Sequence, residues 1–280
     1  MPSHTGIDFV ATTRHDTYPA VDPSKANLNG KVVLVTGASK GIGTAIAIAF
    51  AQAGASGLIL LARSDLSAVQ ATCEAAQRPR QSLKVLTIAT DCTKGSEVVA
   101  AAQEVKETFG RLDVLINNAG YMEGISKIAE YDPEEWWKPW KVNIRGTYEV
   151  TRAFLPLLLE YGGDKIIINM TSLGAHLVDP LFTAYKMTKL AIMRFTELIM
   201  AEYGEQGVLA FAVHPGSIAT DMAAKMPEEM MYVLVDTPEI AAHALTWLVR
   251  ERRDWLAGRY FCCQWDVNEL EAKKGGDRGR

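Results

Sequence analysis

The feature that most constrains this chain is an alternation of two patterns. Short continuous runs rich in Val, Ile and Leu, at Lys31–Thr36, Gly57–Ala62, Lys84–Thr90, Leu112–Ile116, Lys165–Met170 and Val208–Val213, are expected to be strands. Segments with helical periodicity lie between them, at Ile42–Ala53, Asp65–Gln77, Ser96–Phe109, Glu134–Leu159 and Phe182–Tyr203, and a last helix at Pro238–Glu251 precedes a short strand at Arg259–Cys262. A strand apolar on both sides must be covered on both faces, and parallel neighbours need a crossover segment. The pattern therefore predicts an α/β chain with a single doubly wound, Rossmann-type parallel sheet and helices on both faces. No linker or repeat interrupts residues 31–265, so they read as one domain. Residues 1–30 read as an N-terminal arm of unassigned order, and 266–280 as a polar C-terminal tail, frayed from Glu269 onward.

Composition narrows the partners. The 29 Lys and Arg nearly balance 33 Asp and Glu, a net charge of -4 over 280 residues, which excludes a strongly basic nucleic-acid surface. No apolar run approaches the ~18 residues of a membrane span, and Asp8, Arg14, His15, Asp16 and Lys25 break any secretory signal in the first 30 residues. A cytoplasmic protein without a membrane partner is expected. The four cysteines, Cys73, Cys92, Cys262 and Cys263, lack disulfide density and zinc spacing, and the five histidines lack metal-site spacing, so no metal is expected.

The first strand runs directly into Thr36-Gly37-Ala38-Ser39-Lys40-Gly41-Ile42-Gly43, and a helix follows. A tight glycine turn lets the backbone approach phosphate oxygens, while the helix N-terminus supplies free N–H groups and a positive dipole end. Such turns also merely join strands to helices, and this spacing is not the common G-x-G-x-x-G. Farther on come Asn117-Asn118-Ala119-Gly120 after the fourth strand, Ser172 after the fifth, Tyr185-x-x-x-Lys189 in the next helix and Pro215-Gly216 after the sixth. In this order and context the motifs resemble those of the short-chain dehydrogenase/reductase family, classical type, across residues 31–265. The resemblance implies an NAD(P)-dependent alcohol dehydrogenase or carbonyl reductase, forming homodimers or homotetramers through the helices around Lys141–Leu159 and Phe182–Tyr203.

An acid about 20 residues past the glycines marks NAD, and an arginine there marks NADP. Counting from Gly43 reaches Arg63, preceded by Ala62, and Lys40 adds a second cation in the turn. NADP(H) is therefore expected, with NAD(H) as the alternative; in that case Arg63 pairs with a surface acid and Asp65 serves the ribose. Asp91, beside Cys92, resembles the family residue that binds the adenine amino group, though an Asp after a strand is more often a turn or cap residue. The segment Pro215-Gly216-Ser217-Ile218-Ala219-Thr220 resembles the one that grips the nicotinamide carboxamide, chiefly through Ile218 and Thr220. Asn117 and Asn118 are expected to hold strand edges, with Asn118, Ala119 and Gly120 beside the cofactor.

Tyr185 and Lys189, four apart on a helix, share one face. A nearby ammonium favours the phenolate, so Tyr185 is expected to act as acid in reduction and base in oxidation, with its pKa lowered by Lys189. Ser172, at the carboxyl end of a strand, is placed to donate to the carbonyl oxygen, with Thr171 as the competing hydroxyl and a helix cap as the plain alternative. Asn143 resembles the family's fourth catalytic residue, which holds a water linking Lys189 to solvent. Tyr121, Leu173, His176, Phe182, Met222 and Met226 are expected to wall a mostly apolar pocket, because flexible methionines suit variable apolar shapes. The expected reaction interconverts a ketone and a secondary alcohol on a medium-sized apolar substrate. A non-redox isomerase or lyase, or a regulatory nucleotide-binding protein, are the alternatives. Trp136, Trp137 and Trp140 are expected to pack helices or an interface.

Overall fold

The computed structural model describes residues 5–161 and 163–275, so residues 1–4 of the expected arm and 276–280 of the expected tail lie outside it. Seven strands, β1 (Val32–Thr36), β2 (Gly57–Ala62), β3 (Lys84–Ala89), β4 (Val114–Asn117), β5 (Ile166–Met170), β6 (Leu209–His214) and β7 (Tyr260–Cys262), form one sheet in the order β3-β2-β1-β4-β5-β6-β7. All six pairings are parallel. Side chains alternate between faces along each strand. Val33, Val35, Leu58 and Leu60 accordingly pack with α1 (Gly41–Gln52), α2 (Ser67–Ala76) and α7 (Pro238–Val249) on one side. Leu34, Ile59 and Ile167 pack with α3 (Gly95–Phe109), α5 (Thr147–Glu160) and α6 (Thr183–Tyr203) on the other. This is the doubly wound Rossmann-type sheet.

The stretch Glu134–Leu159 is not one uniform helix. A short α4 (Pro133–Pro139) passes into a π-helical stretch at Trp140–Gly146 before α5 begins. Pro139 lacks the N–H that an α-turn would use at that position, and the wider turn follows it at once.

The two chain ends depart from the expected arm and tail. Val10, Val21, Ala26 and Leu28 are buried in the core, so the arm is part of the domain. Residues 267–272 form α8 (Val267–Ala272) rather than a polar tail, because Val267 and Leu270 face the core and Asp266 caps its first amides. The two ends also clamp each other. Arg14 donates to Asp266 at 2.9 and 2.7 Å, Thr12 to Glu269 at 2.6 Å, and Thr13 bridges Trp265.

Asp266 thus unites an ion pair with a helix cap, and Asp266→Ala is expected to lower unfolding free energy by about 2 kcal/mol in urea titrations. Burial pushes its pKa up, but the Arg14 guanidinium and the Glu269 and Asn268 amides outweigh burial and hold it below the ordinary aspartate value. A depressed native pKa adds stability above the unfolded value of about 4, and that share is lost as pH falls below it. The difference between wild type and Asp266→Ala should therefore shrink when the titration is repeated at acidic pH.

Candidate active site

The strand order reverses direction between β1 and β4, and a crevice opens there past the carboxyl ends of the strands. It holds a cavity of about 350 Å³. Gly37, Ser39, Lys40, Gly41, Ile42 and Gly43 line it from the turn, Arg63 from the end of β2, and Asp91 and Cys92 from the end of β3. Asn118, Ala119 and Gly120 close it from β4, with Thr220 and Met222 opposite. Tyr185, Lys189, Pro215, Gly216 and Ile218 do not line it.

Glycine is required at two points of the turn. At Gly37, with φ +65°, a Cβ would stand 2.9 Å from Ala119 Cα; at Gly43 it would stand 2.2 Å from the Gly37 carbonyl oxygen. Asn118 ties the turn down, its Nδ2 donating to Thr36 O at 2.9 Å and Gly37 O at 3.3 Å. Among the described residues no side chain caps the N-terminus of α1, and its first residues, Gly41, Ile42 and Gly43, line the cavity. A side-chain-free cradle at a helix N-terminus fits a pyrophosphate.

Arg63 is exposed at the cavity's edge, close enough for its charge to act on Asp91. Asp65 does not line the cavity, and its Oδ1 accepts from the Ser67 amide and hydroxyl. Asp221, just past Thr220, reaches across and takes the ammonium of Lys40 at 2.7 Å, while Lys40 also lines the cavity. Both groups are exposed, and such pairs are worth little, so Lys40 remains exchangeable. Asp91 accepts from the Thr93 amide and hydroxyl through Oδ1, the turn role, while also lining the cavity.

The candidate catalytic side chains converge past β4 and β5. Tyr185 and Lys189 lie on α6 with the Lys189 ammonium 5.5 Å from the phenol ring centre, and the Ser172 hydroxyl is near enough to the phenol to act on its pKa. Thr171 is spent on structure, donating to Lys189 O at 2.7 Å, which leaves Ser172 as the available hydroxyl. Ser172 also accepts from Gly174 N at 3.0 Å, so the cap role coexists with its place beside the phenol. Lys189 Nζ donates to Met170 O at 2.8 Å, and burial pulls its pKa down to about 8. Contrary to the expectation for Tyr185, its pKa is raised. Burial is the dominant cause and the Glu123 charge adds to it, while the nearby Ser172 hydroxyl opposes. Asn143, inside the π-helical stretch, is fully engaged: Nδ2 donates to Tyr121 O and Thr188 Oγ1, both at 2.9 Å, and Oδ1 accepts from Tyr121 N at 2.8 Å.

The residues expected to wall the substrate pocket divide. Met222 lines the cavity, and its Cε would stand 3.5 Å from a Cβ on Gly120. Leu173 and Phe182 are buried in packing, and the His176 ring meets Tyr260 edge-on at 4.8 Å. Met226 ends the short helical turn Ala223–Lys225. The Ile218 side chain is buried and its backbone bridges Asp236, while Thr220 caps the turn that follows it. Among Trp136, Trp137 and Trp140 the rings pack on one another, and Trp136 Nε1 donates to Thr183 at the start of α6. Two contributors escaped sequence reasoning. Thr188 holds Asn143, and Glu123 bonds the backbone of Ala184 and Tyr185. Neither stands in a motif that would single it out.

Comparison with known proteins agrees with this geometry. The family model described as short chain dehydrogenase matches residues 31–231. The short chain dehydrogenase mpl6 of Monascus purpureus is 48% identical over 279 residues, covering 98% of this chain and 94% of that one. Among solved structures, 3-ketoacyl-(acyl-carrier-protein) reductase from Brucella melitensis, complexed with NADH, superposes with a TM-score of 0.75 at 27% identity over 84% of this chain and 97% of that one. A putative short chain dehydrogenase from Pseudomonas syringae gives 0.77 at 29% identity, over 90% and 100% of the two chains.

Proposed function

The chain belongs to the short chain dehydrogenase family of oxidoreductases, and on that premise we propose that it interconverts a ketone and a secondary alcohol on a medium-sized apolar substrate with NADP(H). The observation that carries the reading is the meeting of Ser172, Tyr185 and Lys189 past β5, beside a glycine-walled cavity. The Brucella relative, a ketoacyl reductase complexed with NADH, supports both a ketone and a nicotinamide.

When bound, the cofactor supplies or takes up the hydride. The turn amides of Gly41, Ile42 and Gly43 would hold its pyrophosphate, and Arg63 its 2′-phosphate. Tyr185 carries the proton to the carbonyl oxygen in reduction, and burial keeps the phenol protonated at neutral pH, as a donor must be. Ser172 donates to the same oxygen as charge grows on it. Asn143 acts by fixing the backbone of Tyr121, since both its amide protons are spent there and on Thr188. Exposed Ile128, Val178 and Tyr232 stand on the segments that follow β4, β5 and β6, and an apolar rim suits an apolar substrate. Half-exposed Tyr148 on α5, with Met187, Leu190 and Leu198 on α6, supports the family's helix-mediated pairing of subunits.

NADPH is expected to exceed NADH in kcat/KM, and Ala62→Asp with Arg63→Leu should reverse the order. Equal or better wild-type efficiency with NADH would refute the preference. Tyr185→Phe should lower kcat by roughly 10²-fold while cofactor binding survives, and activity within a few-fold of wild type would place the proton elsewhere. Comparing kcat/KM for a bulky aryl ketone, a small keto acid and a sugar phosphate tests the substrate class: the aryl ketone should lead, and preference for either anion overturns the apolar reading.

A further inference from the structure

The three residues after Gly120 are each held by a different element. Asn143 brackets the backbone of Tyr121 through its N–H and its carbonyl. Lys225, from the segment after β6, donates to Met122 O at 2.6 Å and lies 3.9 Å from the centre of the Tyr121 ring. Glu123 is fully buried, with its Oε1 2.8 Å from the Ala184 amide and its two oxygens 3.2 and 3.0 Å from the Tyr185 amide. Among the described residues no ion pair is formed by this carboxylate. What stabilises the buried charge is the amides it accepts from, at the positive end of the 21-residue α6.

That helix start needs an outside acceptor. Phe182 occupies the N-cap position and has no side-chain oxygen with which to meet the first amides. Leu181 and Phe182 also sit at φ +73° and +54°, a region disfavoured for residues with a Cβ. Glu123, 61 residues away from Ala184, supplies what the local sequence lacks.

We propose that Glu123 is a positioning residue for Tyr185: its carboxylate grips the amide of the proton-donating tyrosine and sets the phenol's place relative to Ser172 and the Tyr121–Glu123 segment. The proposal rests on the reading of Tyr185 as the proton donor. The grip is on the backbone of Tyr185 itself, so a displaced carboxylate moves the phenol directly. The charge reaches the phenol as well, raising its pKa, and it also acts on Tyr131 and Lys186. Lys186 is paired with Asp179, while Lys225 and Glu135 engage Tyr121.

The test uses the full chain as Glu123→Gln, Glu123→Asp and Tyr185→Phe. Ionisation of Tyr185 is read as tyrosinate absorbance, each protein minus its own Tyr185→Phe version, and turnover as NADPH oxidation with 1-tetralone. Glu123→Gln should move the Tyr185 titration roughly half a pH unit or more to lower pH, because an opposing negative charge is gone. Glu123→Asp, which keeps the charge but withdraws it by one methylene, should leave the titration in place. Both should lower kcat by about 5- to 20-fold with the KM for NADPH within about twofold, the signature of a misplaced reacting group. A purely structural cap would lower the melting temperature of both variants alike and leave kcat at the wild-type value, and that result overturns the proposal. Should Glu123→Gln not fold, Glu123→Asp decides: wild-type kcat there overturns the proposal, and a fall at unchanged KM supports it. An active Tyr185→Phe removes the acid–base reading and the proposal with it. An inactive Tyr185→Phe beside an unaltered Glu123→Gln removes the Glu123 proposal alone.

Discussion

The side chain of Asn118 is the contact on which the crevice depends. Where β1 and β4 part, the register with β4 ends at Val35 while β2 still runs beside Thr36, so the β4 side of the β1 end needs other partners. Asn118 Nδ2 donates to Thr36 O and Gly37 O, while the amides of Asn118 and Ala119 donate to Thr36 Oγ1 at 2.9 and 3.0 Å. The gap is thereby closed at its floor and left open above. With the strand ends pinned, Gly37 can pass within contact of Ala119 Cα, and α1 starts at the cavity instead of being drawn into the sheet.

A second polar layer beneath the site fixes the helices against the sheet. Asn117 donates to Thr151 of α5 and to Asn169 of β5, and Asn169 donates to Thr196 of α6, all inside the protein. Hydrogen bonds in such surroundings are costly to leave unmade, so they select one register of α5 and α6 over a slipped one. Thr171 and Lys189 extend the layer from β5 to α6. Lys189 can therefore be buried at 5% exposure only because Met170 O and the helix register hold its ammonium in place.

What was legible in the sequence follows the range of the interactions involved. Strands such as Val32–Thr36 and Ile166–Met170, and the glycine turn between β1 and α1, are written in consecutive residues, so pattern and spacing reveal them. Tyr185 and Lys189 share a helix face for the same reason. The π-helical stretch around Asn143 escaped because helical periodicity does not separate an α-turn from a wider one over so few residues. The arm and tail were misjudged because each looks polar alone; Arg14 and Asp266 acquire their role only when brought together from opposite ends of the chain. The Lys40–Asp221 pair is invisible in the sequence because its partners stand 181 residues apart. Glu123 carries no local signal at all, since its partners are backbone amides on a helix that begins 60 residues later.

Burial acts on the two central groups with one consequence: it raises Tyr185 and lowers Lys189, driving each toward its neutral form. On the proposed reading, the phenol's protonation then follows the charge brought close to it. Beside an uncharged reduced nicotinamide Tyr185 would keep its proton and could donate it; near the positive charge of an oxidised ring the phenol would ionise more readily and could accept one. A tyrosine already ionised by a strong lysine field would lose the first of these roles. Glu123 works in the same sense as burial, while the Ser172 hydroxyl works against both. The site therefore sets the phenol by opposing influences of short reach, each fixed by a backbone or side-chain contact that the fold holds in register.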